Sequence, residues 1–259
     1  MKYQNKFNLK NKTAYVLGGS GLIGKEVCLA LAEFGAKVLN LDIRKNKKIN
    51  LKEKINIKFH NFKIANLNTS DKLLSKIIKK YGTPDIFINC SYPHSKSWKN
   101  SSLKNITVKS FQENVNLHMN SYIWIARLIA EKMKKKKIQG SIVQLSSIYG
   151  VVGQNMNIYK GTNIKENISY SAIKGGITNS TRLMASYYGK YNIRVNTICP
   201  GGIENKQSLK LKKQYASQAP IKRMCKVEEI PSAVIFLVSE ASSYVTGITL
   251  MIDGGWTAI

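Results

Sequence analysis

Short apolar runs alternate with amphipathic stretches along the whole chain. Thr13-Ala-Tyr-Val-Leu17 reads as a buried strand. Lys25 to Phe34 carries apolar side chains at helical spacing and stops at Gly35, a normal glycine for a helix C-terminus. Further strands are predicted over Lys37–Leu41, Ile55–Asn61 and Asp85–Cys90, with a helix over Asp71–Tyr81 between the last two. Phe111 to Met133 predicts one long amphipathic helix, and Ser141 to Ser146 the strand after it. A helix over Ser169–Tyr188, a strand over Ile193–Ile198, a helix over Glu228–Ser239 and a strand over Thr249–Asp253 complete the pattern. Strands separated by helices imply an α/β fold, a doubly wound and mostly parallel β-sheet flanked by helices. No linker, repeat or low-complexity tract divides the chain, so residues 1–259 are predicted to form a single domain.

Composition narrows the class. Hydrophobic residues make up 43% of the 259, ordinary for a soluble globular protein. The longest apolar run, Ala233 to Val238, falls far short of the ~20 residues needed to span a bilayer, so no membrane partner is expected. The first ten residues have no apolar core of a secretory signal. Cys28, Cys90, Cys199 and Cys225 form no Cys-x-x-Cys pair, and most sit inside strand-like or helix-like segments. Buried free thiols and a cytoplasmic location follow as expectations. His60, His94 and His118 are too scattered to indicate a metal site.

The charge is unusual, with 41 Lys+Arg against 14 Asp+Glu, a net +27. The excess is almost all lysine, spread along the chain with many asparagines, rather than gathered in one patch. Its densest cluster, Lys132 to Lys137, falls where a helix ends and cations favour the dipole. Nucleic acid is therefore not the expected partner. A phosphorylated or acidic small molecule fits the balance better.

The first strand runs directly into Gly18-Gly-Ser-Gly-Leu-Ile-Gly24, a helix and a second strand that ends at Asp42. That succession is the dinucleotide-binding unit of a Rossmann fold. Its glycines let backbone approach a pyrophosphate, and the helix N-terminus offers free N–H donors. Asp42 can accept from the adenosine ribose hydroxyls and repels a 2′-phosphate, which favours NAD over NADP; Arg44 and Lys45 soften that preference. In Tyr170-Ser-Ala-Ile-Lys174 the tyrosine and lysine lie four apart and share one helix face. A cation beside a phenol favours the phenolate and makes the pair an acid/base candidate. Alone the pentapeptide is weak, since a surface Tyr and a solvated Lys meet the same spacing.

With these pieces, the sequence resembles the short-chain dehydrogenase/reductase family over essentially all of residues 8–259. The resemblance rests on Gly18–Gly24, Asp42, Asp85-Ile-Phe-Ile-Asn89, Val115-Asn116-Leu117 and Gly140-Ser-Ile-Val-Gln-Leu-Ser-Ser147. It continues through Tyr170–Lys174, Ile193-Arg-Val-Asn-Thr-Ile-Cys-Pro-Gly201 and Ser243 to Trp256. The resemblance implies a catalytic set of Asn116, Ser147, Tyr170 and Lys174. In it Tyr170 exchanges the proton, Lys174 holds the nicotinamide ribose and lowers the tyrosine pKa, and Ser147 orients the substrate oxygen. Asn116 fixes a water that links Lys174 to solvent. The implied cofactor contacts are Gly18, Ser20, Gly21, Leu22, Ile23, Asp42, Asn66, Leu67, Asn89, Tyr170, Lys174, Pro200, Gly201 and Ile203. A homotetramer or homodimer is implied too, packed near Trp256 and the helices around Tyr122 and Tyr187.

Several positions depart from the family pattern. Leu22 replaces a glycine of the usual turn, Asn66 stands for an aspartate that touches adenine, and Asn89-Cys-Ser-Tyr92 replaces Asn-Asn-Ala-Gly. A threonine usual shortly after Pro200-Gly201 is missing. Tyr170 follows Ser147 by 23 residues, a longer span than most members use. The extra polar segment, about residues 153–168, is predicted to overhang the substrate site as a lid. With Ser147-Ile-Tyr-Gly-Val-Val152 and Cys90-Ser-Tyr-Pro93, it resembles a subgroup associated with flagellin modification and sugar pathways. The function expected is an NAD-dependent oxidoreductase interconverting a secondary alcohol and a ketone on a sugar or sugar derivative. Three alternatives stand beside it: a 3-oxoacyl-[acyl-carrier-protein] reductase, a non-catalytic cofactor-binding protein and a basic nucleic-acid binder.

Overall fold

A computed structural model describes residues 2–46, 56–63 and 67–259. Strand β1 (Thr13–Leu17) shows why a short run suffices to start the fold. Its side chains alternate between two cores, Tyr15 and Leu17 on one face of the sheet, Ala14 and Val16 on the other. After the glycine turn comes helix α1 (Leu22–Glu33), which starts three residues before the expected Lys25 and ends at Gly35 with φ +98°. Then follow β2 (Lys37–Asp42), β3 (Ile57–Asn61), α2 (Leu67–Tyr81) and β4 (Ile86–Asn89). The expected start of the third strand at Ile55 lies outside the described residues.

The expected continuous helix over Phe111–Met133 is three segments. Helix α3 (Val108–Asn114) passes into a π turn (Val115–Asn120) and then into α4 (Ser121–Lys135). The remaining elements are β5 (Ser141–Leu145), α5 (Ile168–Tyr188), β6 (Arg194–Pro200), α6 (Leu209–Gln218), α7 (Glu229–Val238) and β7 (Thr249–Ile252). Helix α6 escapes a periodicity reading because it buries only Leu211 and Tyr215 among lysines and glutamines. Ser208 caps it, accepting from Leu211 N at 3.3 Å.

Among the described residues all strand pairings are parallel, and seven strands lie in the order β3-β2-β1-β4-β5-β6-β7. The chain moves outward in one direction from β1 and in the other from β4. Their carboxyl ends, in register at Leu17 and Asn89, therefore flank a crevice. One core lies under α2, α4 and α5, with Phe87, Ile125, Ile129 and Tyr188; the other lies under α1 and α7, with Val27, Leu31, Ile88 and Val234. Arg194 ties α7 and its following loop to the sheet, donating to the carbonyls of Leu237 (2.7 Å) and Ser239 (3.2 Å) and to Ser242 Oγ (2.9 Å). No helix among the described residues is long and apolar enough to cross a membrane.

Candidate active site

Two regions meet at the carboxyl edge of the sheet. The first is the glycine turn between β1 and α1. Here the approach of backbones is too close for side chains: a Cβ on Gly24 would lie 2.1 Å from Gly18 O, and one on Gly18, itself at φ +76°, 2.5 Å from Ser91 Cα. Gly21 starts α1 with no side-chain cap, which leaves the first N–H groups facing the crevice without a side-chain partner. Of the residues expected here, Leu22 is exposed and Ile23 half-buried against the core. Ser20 N donates to Asp42 Oδ2 (2.9 Å), and Ser20 Oγ accepts from Asn40 Nδ2 (3.0 Å). Asp42 thus lies at the end of β2 beside the turn. Asn66 lies outside the described residues, and Leu67 opens α2.

On the other side of the crevice, Asn89 is fully buried and its Oδ1 accepts from both N and Oγ of Ser91 (3.2 and 2.7 Å). The departure at Asn89-Cys-Ser-Tyr92 is carried by Tyr122, whose hydroxyl contacts the carbonyls of Asn89 (3.2 Å) and Ser91 (2.6 Å). Tyr122 is therefore an internal strut of the chain. Trp256, also expected near an interface, is 8% exposed and stacks on Tyr215 at 4.6 Å within the same chain. A glycine cradle, an uncapped helix start and an acid at the strand end fit a dinucleotide in size and in donor set.

The second region gathers Ser147, Tyr170 and Lys174. Ser147 follows β5 and caps the short turn Ile148–Gly150, its Oγ accepting from Tyr149 N at 3.2 Å. That turn packs directly on α5, since a Cβ on Gly150 would meet Lys174 O at 2.7 Å. Asn167 caps α5 through Tyr170 N (2.8 Å), and so sets the helix that carries both Tyr170 and Lys174. Lys174 is 3% exposed and its Nζ donates to Leu145 O at 3.0 Å. The same Nζ lies 5.7 Å from the Tyr170 ring centroid.

The electrostatics differ from the expectation. Burial pushes the Tyr170 phenol up to about 12, and hydrogen bonding to Ser147 only partly opposes this. Burial also lowers Lys174 to about 7, offset in part by the Cys199 and Cys90 thiols. A largely desolvated amine is a weak electrostatic partner, so desolvation wins at the phenol.

Asn116 is not brought to this group. It is exposed, and its Oδ1 accepts from Asn120 Nδ2 at 3.1 Å. Two residues later, fully buried His118 packs its ring against Tyr92 and Tyr122, each at 5.2 Å. Sequence reading passed over His118, Tyr92 and Trp98 as site residues. A histidine two residues after Asn116 and an aromatic in place of a small residue at Tyr92 were visible in the sequence, but no periodicity joined them to Tyr170.

A cleft of about 780 Å³ opens over Tyr170 and Ser147. Its walls combine aromatic faces (Trp98, Tyr159) with amides (Gln154, Asn163, Asn167, Gln207). Residues of the 153–168 segment form one side. They are stitched to the 98–103 loop by Ile168 N to Ser101 O (3.1 Å) and Leu103 N to Glu166 Oε1 (3.0 Å). Ser101 Oγ, in the same wall, is buried with no partner among the described residues. Gly201 lines the cleft, Pro200 ends β6 behind it, and Ile203 is turned into a short bridge with Cys225.

Known proteins resemble this chain over most of its length. A family model described as enoyl-(acyl carrier protein) reductase matches residues 20–257. The post-translational flagellin modification protein A of Campylobacter coli is 31% identical over 254 residues, covering 96% of this chain and 99% of that protein. L-xylulose reductase of Caenorhabditis elegans is 29% identical over 259 residues, covering 97% and 98%. Among solved structures, a short chain dehydrogenase from Leptospira borgpetersenii serovar Hardjo-bovis with bound NAD+ superimposes with a TM-score of 0.85. It is 31% identical, over 96% of this chain and 93% of that one.

Proposed function

Because the chain belongs to the short-chain dehydrogenase/reductase family, oxidoreductases of CH–OH and C=O groups, we propose that it uses NAD to interconvert a secondary alcohol and a ketone on a sugar or sugar derivative. The wall of the cleft carries this reading: amides and hydroxyls beside aromatic faces suit the polar edge and apolar face of a sugar ring, and suit an aliphatic chain less well. Lys99 and Lys165 also line it, and the carboxylate of Glu166 is engaged by Leu103 N, which favours a phosphorylated or acidic sugar. The 153–168 segment acts as the lid. The L-xylulose reductase relative supports a carbohydrate substrate.

The glycine turn, with Ser20, Leu22 and Ile23, would hold the pyrophosphate. Asp42, Asn66, Leu67 and Asn89 would hold the adenosine end, and Pro200, Gly201 and Ile203 the nicotinamide end. Asp42 beside Ser20 favours NAD over NADP. The cofactor supplies or accepts the hydride when bound. Tyr170 exchanges a proton with the substrate oxygen, Ser147 orients that oxygen, and Lys174 holds the ribose while buried under Tyr170. Exposed Trp124, Leu183 and Tyr187 on α4 and α5 support assembly as a homodimer or homotetramer. Buried free thiols at Cys28 and Cys199 support a cytoplasmic setting.

The test is binding of NADH and NADPH to the purified protein, followed by turnover of keto-sugars, with and without carboxylates, and a β-ketoacyl thioester. Tyr170→Phe is the control. Tighter NADH binding with Tyr170-dependent sugar turnover is expected. NADPH preference with thioester turnover would replace this reading by an acyl-carrier-protein reductase, which the description of the matching family model and the basic charge favour.

A further inference from the structure

His118 is a buried polar group with no stated job. Its ring is 0% exposed, and neither Nδ1 nor Nε2 has a hydrogen-bond partner among the described residues. Folded proteins rarely leave a buried polar group unsatisfied without a reason. The residue also stands in a π turn, a local widening of the helix that is costly on its own and often marks a working site.

The surroundings identify a partner. Lys174 Nζ lies 5.3 Å from the Tyr122 ring centroid and 5.8 Å from that of Tyr92. His118 packs on the same two rings. Of the three protons on the Lys174 ammonium, one goes to Leu145 O and the ribose proposed above would accept on its own side, which leaves a proton for a further acceptor. That ammonium and an imidazole short of partners share one aromatic enclosure.

We propose that His118 is a positioning residue for Lys174, its neutral imidazole accepting a hydrogen bond from the ammonium directly or through one bridging water. This holds the cation beside Tyr170, the place that Asn116 leaves empty. The inference rests on the oxidoreductase reading but not on the identity of the substrate. The groups facing His118 are Lys174 from α5, Tyr122 from α4, and His94 and Tyr92 from the loop after β4. Burial first, then the Lys174 and His94 charges, hold its pKa well below the ordinary histidine value, so one ring nitrogen stays open as an acceptor. Lys174 also faces Cys199 and Cys90, neither of which replaces an imidazole as an acceptor.

The experiment titrates Lys174 in the NADH-bound protein by NMR of its labelled side-chain Cε, in wild type, His118→Asn and His118→Phe. Removing an acceptor destabilises the ammonium and lowers its pKa. The Lys174 midpoint is expected to fall by roughly one pH unit in His118→Phe and to stay near wild type in His118→Asn. In the pH profile of alcohol oxidation, the ascending limb is expected to move up in His118→Phe, because Tyr170 loses a cation that favours its phenolate. An unchanged Lys174 midpoint in folded His118→Phe overturns the proposal and leaves His118 as core packing. Should His118→Phe fail to fold, the ring 15N resonances of His118 are compared in wild type and Lys174→Met. A shift of one nitrogen toward a free acceptor supports the contact, and identical spectra overturn it. If no sugar is turned over, the substrate reading fails while the NMR titration still decides on His118.

Discussion

Gly24→Ala tests whether the glycine turn is a nucleotide cradle. An added Cβ would sit 2.1 Å from Gly18 O, 2.8 Å from Gly19 Cα and 2.9 Å from Gly18 C. Relaxed carbon contacts lie at about 3.5–4.0 Å, so backbone must retreat by roughly 1 Å. Overpacking of this kind costs about 1–3 kcal/mol. Against it, alanine in the first turn of α1 recovers about 0.5–1 kcal/mol of helix propensity. The clash wins, leaving a net loss on the order of 1–2 kcal/mol and a Tm lowered by about 2–4 °C per kcal/mol for a domain of this size. The displaced atoms are those proposed to face the pyrophosphate, so the binding loss is expected to exceed the stability loss. NADH fluorescence titration should show Kd rising at least about tenfold, which corresponds to about 1.4 kcal/mol. Gly153→Ala is the control, since nothing lies within 4 Å of its added Cβ. NADH binding within twofold of wild type in a folded Gly24→Ala protein would refute the placement of the cofactor.

Further outcomes follow from other contacts. Asp42→Ala removes the acceptor beside Ser20 N and the repulsion of a 2′-phosphate; the NADPH-to-NADH Kd ratio is expected to fall about tenfold or more, read by paired titrations. Lys174 titrates near 7 when folded and near its ordinary 10.5 when unfolded, so the unfolded chain binds more protons between those values and stability rises with pH across that window. Lys174→Met should flatten this slope in urea unfolding followed from pH 6 to 10. Arg194→Met removes one donor each from the carbonyls of Leu237 and Ser239 and from Ser242 Oγ; Leu237 O keeps Ser141 Oγ and Ser239 O keeps Ser242 N and Oγ, so thermal unfolding should report a loss of about 1–3 kcal/mol.

Much of the site was legible because its chemistry is local. The glycine turn, Asp42, Ser147 and the Tyr170–Lys174 pair sit at strand ends or on one helix face, where regular periods of 2 and 3.6 residues set the direction of each side chain. Asn116 stands apart from this group by the same logic. It lies two residues from buried Asn114 and two from buried His118, so it points away from the face those two share. Reading Phe111–Met133 as one uniform helix concealed this, because a π turn changes the phase of everything beyond it.

The amino-acid order alone determined the alternation of strands and helices, the glycine turn and the pairing of Tyr170 with Lys174 on one helix face, since each depends on neighbours a few residues away. Tertiary structure decided what the pair experiences. Desolvation, a sum over residues distant in the chain, raises the Tyr170 pKa and lowers that of Lys174 against the simple expectation for a phenol beside a cation. It also decided which residues enclose them, bringing Tyr92, Trp98 and His118 from separate segments to one aromatic cage, and α6 to one wall of the cleft. No local period encodes such a meeting, because it is fixed by how the crossovers pack on the sheet.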